Sequence, residues 1–217
     1  FISEWLKKQS THTLTVKPKK IRNYLSFTSN SPNDKHMADL AFFRHQSNGY
    51  KGIMVVIDVY SRYACVLPFK SKTAESIAKL YKSMFDSTPL RFPNQLITDD
   101  GAEFKGSFKK MLRDNHVFHH IATPGVHTTT AIVDRFIYTL KQRIIRQMNH
   151  SHSDAWDVMI RPLVDSYNND IHETTNCTPN AIMNDDVVPV LKERKIRKLP
   201  LLTVGSKVRV KLTEQKG

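Results

Sequence analysis

The chain has 217 residues, 40% hydrophobic and 24% charged, with 33 Lys/Arg against 20 Asp/Glu and a net charge of +13. This composition is that of a globular chain and not of a disordered one, and the length suffices for one domain of ordinary size with appendages. No apolar run approaches the ~20 residues that span a bilayer, so no membrane partner is expected.

The charge is unevenly placed. Residues 1–25 carry a net +5, residues 188–217 a net +7, and residues 26–187 only +1. A near-neutral centre between basic ends suits a polyanionic substrate gripped by extensions, although solvated tails would look the same. Cys65 and Cys177 are the only cysteines, so no disulfide framework is indicated and a reducing, intracellular setting is expected. No signal peptide is expected, and a start at Phe1 instead of Met is what a piece of a longer protein would show.

In chain order, residues 1–34 read as a basic lead with a short helical stretch around Ile2–Lys8 and a Ser/Asn/Pro linker. Alternation from Met37 through Phe42 predicts a strand, Ser47-Asn48-Gly49 a hairpin turn, and Ile53–Asp58 and Ala64–Leu67 two further strands. Thr73 is a helix cap, and Ile77, Leu80, Met84 and Phe85 recur behind it at helical spacing. Gln95–Thr98 is a buried-strand candidate. A short helix through Phe104, Phe108, Met111 and Leu112 follows, then a strand at Val117–Ile121. TPGVHTT reads as a flexible loop. A long helix from about Thr130 to Met148 carries the apolar stripe Val133, Phe136, Ile137, Leu140 and Ile144. Trp156–Tyr167 is another helix, and Thr178-Pro179 opens a short one. Residues 188–217 read as a basic linker and the beginning of a β-module at VGSKVRVKL.

Three carboxylates have ordered surroundings: Asp39 in HMADLAFF, Asp99 in LITDDGAEF, and Asp134 one turn into the long helix. Two strands and a helix can bring them together. Hard oxygen ligands of this kind suit Mg²⁺ or Mn²⁺, and a metal pair on such ligands performs phosphodiester chemistry. Asp100 reads as a turn neighbour pointing elsewhere, and Glu103 as exposed helix by default, with help to a metal or DNA contact as the lesser alternative. His116, His119, His120 and His127 cluster in sequence, but no CxxC pair completes a tetrahedral zinc set. Tyr138 and Lys141 follow Asp134 at i+4 and i+7 on one helix face. Asn168 and His172 read as holding the back wall of the core.

DLAFF, VVIDVYSRYACVLPFKSKTAES, TDDGAEF, TAIVDRFIYTLK and YNNDIHETTNCTPNAIM occur in the order of, and resemble, the retroviral-type integrases with their Asp-Asp-Glu catalytic core. The resemblance runs from Asp34 to Met183, with a looser echo at VGSKVRV. WLKKQSTHTLTVKPKK and the closing VGSKVRVKL look most like integrases of Polinton/Maverick elements and virophages.

The resemblance implies an α/β, RNase H-like fold: a mixed five-stranded sheet flanked by helices over residues 35–187. A basic lead (1–34) would precede it, and the start of an SH3-like or chromodomain-type β-module (188–217) would follow. It implies that Asp39, Asp99 and Asp134 hold two Mg²⁺ (or Mn²⁺) ions and act in 3′-end processing and strand transfer. The partners would be double-stranded element-end and target DNA, with the chain assembling as a homo-dimer or tetramer in the nucleus or a virion. A zinc domain would lie upstream. Lys141 matches a lysine that holds DNA ends, although a solvated lysine is the simpler reading. Tyr138 occupies a DNA-facing place, with stacking and core packing both open. Lys195, Arg197, Lys198, Lys207 and Arg209 are candidate phosphate contacts.

One departure matters. The family has Glu where this chain has Asp134, shorter by one methylene or about 1.5 Å. Two rivals therefore stand beside the integrase reading: a non-catalytic DNA-binding or scaffolding descendant, and a metal-dependent nuclease on the same fold. Some mariner-type transposases also carry Asp here.

Overall fold

The computed structural model describes residues 28–123 and 129–189. The basic lead, the centre of the TPGVHTT loop and the C-terminal β-module, with Lys195, Arg197, Lys198, Lys207 and Arg209, lie outside the described residues. The elements are β1 (Lys35–Ser47), β2 (Tyr50–Asp58), β3 (Ala64–Phe69), α1 (Ala74–Ser83), β4 (Gln95–Thr98), α2 (Gly106–Asp114), β5 (Phe118–Ile121), α3 (Ala131–Ser151), α4 (Trp156–Asn169) and α5 (Pro179–Met183).

The five strands make one mixed sheet in the order β3-β2-β1-β4-β5. β1, β2 and β3 form an antiparallel meander, and β4 and β5 join in parallel. Asn48 (φ 50°) and Gly49 (φ 77°) form the two-residue turn between β1 and β2. Positive φ at both positions is what a tight hairpin matching strand twist requires. β1 is longer than its alternation predicts, because β2 pairs with it well past the last residue paired to β4.

Side-chain alternation divides the sheet between two cores. Ala38, Leu40, Met54 and Val56 pack with Ile77, Tyr81, Phe108 and Leu112 of α1 and α2. Met37, Ala41, Ile53, Val55 and Ile57 pack with Val133, Phe136, Leu140 and Ile144 of α3 and with Trp156, Ile160 and Val164 of α4. Covering both faces explains why residues 53–57 read as an unbroken apolar run. Each large side chain so buried contributes about 1.5–3 kcal/mol. Gly52 has a specific reason: a Cβ there would collide with the Ala41 carbonyl oxygen and the Phe69 ring.

Polar locks fix the same frame. Thr73 caps α1 by accepting the Ser76 N–H, and Thr178 caps α5 by accepting that of Ala181. The Asn168 amide accepts from the Ala64 N–H and donates to the Ala64 carbonyl, both at 2.9 Å, tying α4 to β3. His172 Nδ1 accepts the Thr174 N–H at 3.1 Å in the following turn. The SRY motif closes the turn after β2. Buried Asp58 accepts the backbone N–H and hydroxyl of Ser61, each at 2.7 Å, and the Asn33 N–H at 2.9 Å.

Candidate active site

The parallel pairing of β1 with β4 ends at Met37 opposite Ile97. Asp39 and Asp99 each stand two residues further on, so neighbouring strands deliver both carboxylates at the same level. The place is the carboxyl end of β4, where open sheets put their ligands. Asp39 shares its face of β1 with Met37 and Ala41, the face that α3 covers. Asp99 is exposed just beyond β4, and its Oδ1 accepts the Gly101 N–H at 3.1 Å. Asp134 lies in the first turn of α3, exposed, with Oδ2 accepting the Thr130 hydroxyl at 2.9 Å.

Burial pushes the Asp39 carboxyl up to about 7, and the like charges of Asp99, Asp134 and Glu103 push the same way. The Leu40 N–H, 2.7 Å from Asp39 Oδ1, works against them by stabilising the anion. The charges of Asp99, Asp134 and a further acid, Glu103, thus all act on Asp39.

That further acid is the residue sequence reasoning reads as exposed helix by default. A single 3-10 turn, Ala102–Phe104, carries it. A Cβ built on Gly101 would stand 3.0 Å from Asp99 Oδ1 and 2.9 Å from Glu103 Cδ, so both carboxylates crowd the space this glycine leaves. The available signal was the Asp-x-Gly-x-Glu spacing, in which a side-chain-free position separates two acids. Asp100 turns away, as expected, into an ion pair with Lys105 at 2.9 Å.

The donor set is all carboxylate oxygen, which suits Mg²⁺ or Mn²⁺ and not zinc. The open space at Gly101 lies between two of those donors, so the residues fit a hard cation in chemistry. Among the described residues, no three His, Cys, Asp or Glu side chains stand close enough together to hold an ion as they are. His119 is engaged elsewhere, its Nε2 2.8 Å from the Thr98 hydroxyl.

On the rest of α3, Tyr138 is 64% exposed, which decides against core packing. Lys141 is half-buried, with its Nζ 5.8 Å from the centre of the Phe43 ring. That ring stacks on Trp156 at 4.3 Å.

Comparison with known proteins agrees with this fold. Residues 29–127 match the family model of the integrase core domain. A transposon-derived protein of Caenorhabditis elegans is 27% identical over 145 residues, 66% of this chain and 50% of that protein. Transposon Tf2 polyproteins of Schizosaccharomyces pombe are 28% identical over 144 residues, 64% of this chain and 10% of theirs. The match thus takes in half or less of these relatives' own lengths. Among solved structures, a chain of the simian T-cell lymphotropic virus intasome superposes with TM-score 0.69 at 16% identity, covering 93% of this chain and 70% of that one. The HTLV-2 integrase catalytic core domain in complex with magnesium gives TM-score 0.57 at 19% identity, covering 70% of this chain and 97% of that one. Residues 29–127 are thus similar to the integrase core domain, and the described chain has the RNase H-like fold of the retroviral catalytic cores.

Proposed function

We propose that the chain is the catalytic core of a DNA integrase or transposase that processes the 3′ ends of element DNA and joins them to target DNA. The observation that supports this best is the convergence of the Asp99, Asp134 and Glu103 charges on half-buried Asp39 at the carboxyl end of β4. In this reading Asp39, Asp99 and Asp134 would hold two Mg²⁺ (or Mn²⁺) ions. When bound, such ions supply Lewis acidity that activates the attacking hydroxyl and stabilises the leaving oxygen. The chain's own part is positional. Two parallel strands present Asp39 and Asp99 side by side, and the Thr130 hydroxyl orients Asp134. Tyr138 offers a ring to a base or sugar at a DNA end, and Lys141 a cation to a phosphate. Lys195, Arg197, Lys198, Lys207 and Arg209 would add backbone contacts that position DNA without reading its sequence. The substrates would be double-stranded element ends and target DNA, handled by a homo-oligomer in the nucleus or a virion.

One observation favours a second reading. Asp134 is the short carboxylate where the family carries Glu, and the acids are not gathered into a ligand shell as they stand. A scaffolding descendant that binds DNA without joining it would tolerate both. A strand-transfer assay on the chain and on Asp134→Glu, in Mg²⁺ and in Mn²⁺, separates the readings. Joined product from either form supports the integrase. Two folded, DNA-binding but inert forms support the scaffold, and cleavage without joining supports a nuclease.

A further inference from the structure

Beyond Asp39, where pairing with β4 has ended, β1 continues for eight residues to Ser47, paired with β2 through Phe42 and again at Ser47 across a register shift. The shift sets residues 43–46 against Lys51 alone, so this arm advances by the five β2 steps from Val55 to Tyr50, roughly 17 Å at about 3.3 Å per residue. Its side chains are unlike those of the rest of the sheet. Phe42 is 47% exposed, with the Lys72 Nζ 5.9 Å over its ring. Lys70 lies 5.0 Å over the Tyr50 ring, and Lys141 covers Phe43. Arg44 and Lys51 are exposed.

Residues 40–52 and 59–73 contain no Asp or Glu. The carboxylate that reaches the arm is Asp157, at the hairpin tip, where the Ser47 hydroxyl and the Asn48 amide hold it. Among the described residues Arg44, Lys51, Lys70 and Lys72 enter no ion pair, whereas Lys79, Lys105, Arg143 and Arg161 do. The lysine heads are thus placed by aromatic rings without being neutralised.

Phe42 and Phe43 are consecutive and point to opposite faces, so Lys72 and Lys141 lie on opposite sides of the ribbon. Trp156 of α4 covers the Phe43 side, so the ribbon meets a duplex with its Phe42 side, where Lys72 stands. With one phosphate per ~3.4 Å on each strand, the arm's length corresponds to about five base pairs.

We infer that the β1–β2 arm, with the residues just after β3, docks on the phosphate backbone of duplex DNA flanking the reacting bond, through Arg44, Lys51, Lys70 and Lys72. The inference rests on the DNA-joining reading for its partner, but its test reads binding and not chemistry.

Binding of a fluorescent 30-base-pair duplex to the full chain would be measured across a salt series, for the wild type and two triple variants. In the arm triple, Lys51→Gln, Lys70→Gln and Lys72→Gln are combined. In the control triple, Lys82→Gln, Lys109→Gln and Lys110→Gln remove the same charge from α1 and α2. Each lost phosphate contact lowers the slope of log affinity against log salt by about 0.9, so the arm triple is expected to lose 2 to 3 and the control less than 1. Lys72→Gln alone, expected to lose about 1, serves as the second variant should the triple fold poorly. An arm slope equal to wild type, equal flattening by both triples, or no binding by the wild type overturns the inference. DNA joining with an unchanged arm slope would sink the arm alone. No joining with the expected slopes would sink the catalytic reading and leave the arm.

Discussion

Asp39 and Asp99 leave adjacent parallel strands in step, each two residues past the Met37–Ile97 pair. Their common level is a property of backbone register, which a change of side chain does not disturb. Function and fold can therefore be separated by substitution at these two positions.

Asp39→Asn or Asp99→Asn is expected to lower metal-dependent end processing by at least ~10³-fold, about 4 kcal/mol of barrier at about 1.36 kcal/mol per decade, with the fold intact. Stability in chelator should rise slightly for Asp39→Asn, because a charge leaves a crowded acidic site. The pH dependence has a definite sign. A carboxyl raised to about 7 from an ordinary value near 4 takes up a proton in the folded state first, so stability falls as pH rises from about 4 to 7. Denaturant melts should show that decline in the metal-free wild type and less of it in Asp39→Asn. Undiminished processing by well-folded Asp99→Asn would remove the metal-site assignment.

Asp134→Glu restores the missing methylene on an undisturbed helix. Strand transfer in Mg²⁺ is expected to increase by at least ~10²-fold, about 2.7 kcal/mol. Mn²⁺ should partly rescue the Asp form. Equal activity of both forms in Mg²⁺ would group this chain with the three-Asp transposases.

Gly101→Ala keeps an allowed backbone (φ −61°) but places a methyl 3.0 Å from Asp99 Oδ1 and 2.9 Å from Glu103 Cδ. Exposed Asp99 and half-buried Glu103 can shift, so the melting temperature should change by no more than ~2 °C, about 0.5–1 kcal/mol. End processing should drop about tenfold, a barrier increase of about 1.4 kcal/mol, because Asp99 leaves its place. A variant as active as wild type would show that this crowding has no catalytic consequence.

Deleting residues 188–217 removes a net +7, more than half of the chain's +13. DNA affinity should weaken and its salt slope flatten, since fewer counterions are released. An identical slope in the truncated chain would mark the tail as merely solubilising.

His36 is completely buried, with Nε2 donating toward Asn33 Oδ1 at 3.1 Å, and burial holds its imidazole down to about 3. Asp58 Oδ1 lies 3.6 Å away, too far for a hydrogen bond, and the neutral ring is consistent with that distance. A histidine depressed from 6.5 binds its proton first in the unfolded chain, so its contribution to stability is lost as pH falls from about 6.5 to 3. His36→Gln should flatten the acid limb of the stability curve while lowering stability at pH 7. A parallel acid limb in the variant would assign acid unfolding to other groups.

Periodicity and turn chemistry alone determined most of the elements. Thr73 and Thr178 cap where a side-chain acceptor precedes a helical pattern, Asn48-Gly49 turns the hairpin, and Gln95–Thr98 is a strand with the bounds its apolar run implies. These are local decisions, made by φ/ψ preference and by which face can be buried, so a linear reading reaches them. The order of Asp39, Asp99 and Asp134 along recognisable motifs was legible for the same reason. What only the tertiary structure decided depends on contacts between residues far apart in the chain. The parallel register that levels Asp39 with Asp99 is one such case. The exposure of Tyr138 is another, since a helix face is assigned only by what packs against it. Glu103 joins the acids because a single 3-10 turn brings it to Asp99 across Gly101, too short a device to leave a period in the sequence. The cations of the arm, Arg44, Lys51, Lys70 and Lys72, come from the β1–β2 hairpin and the residues after β3 and become one surface only when the sheet assembles.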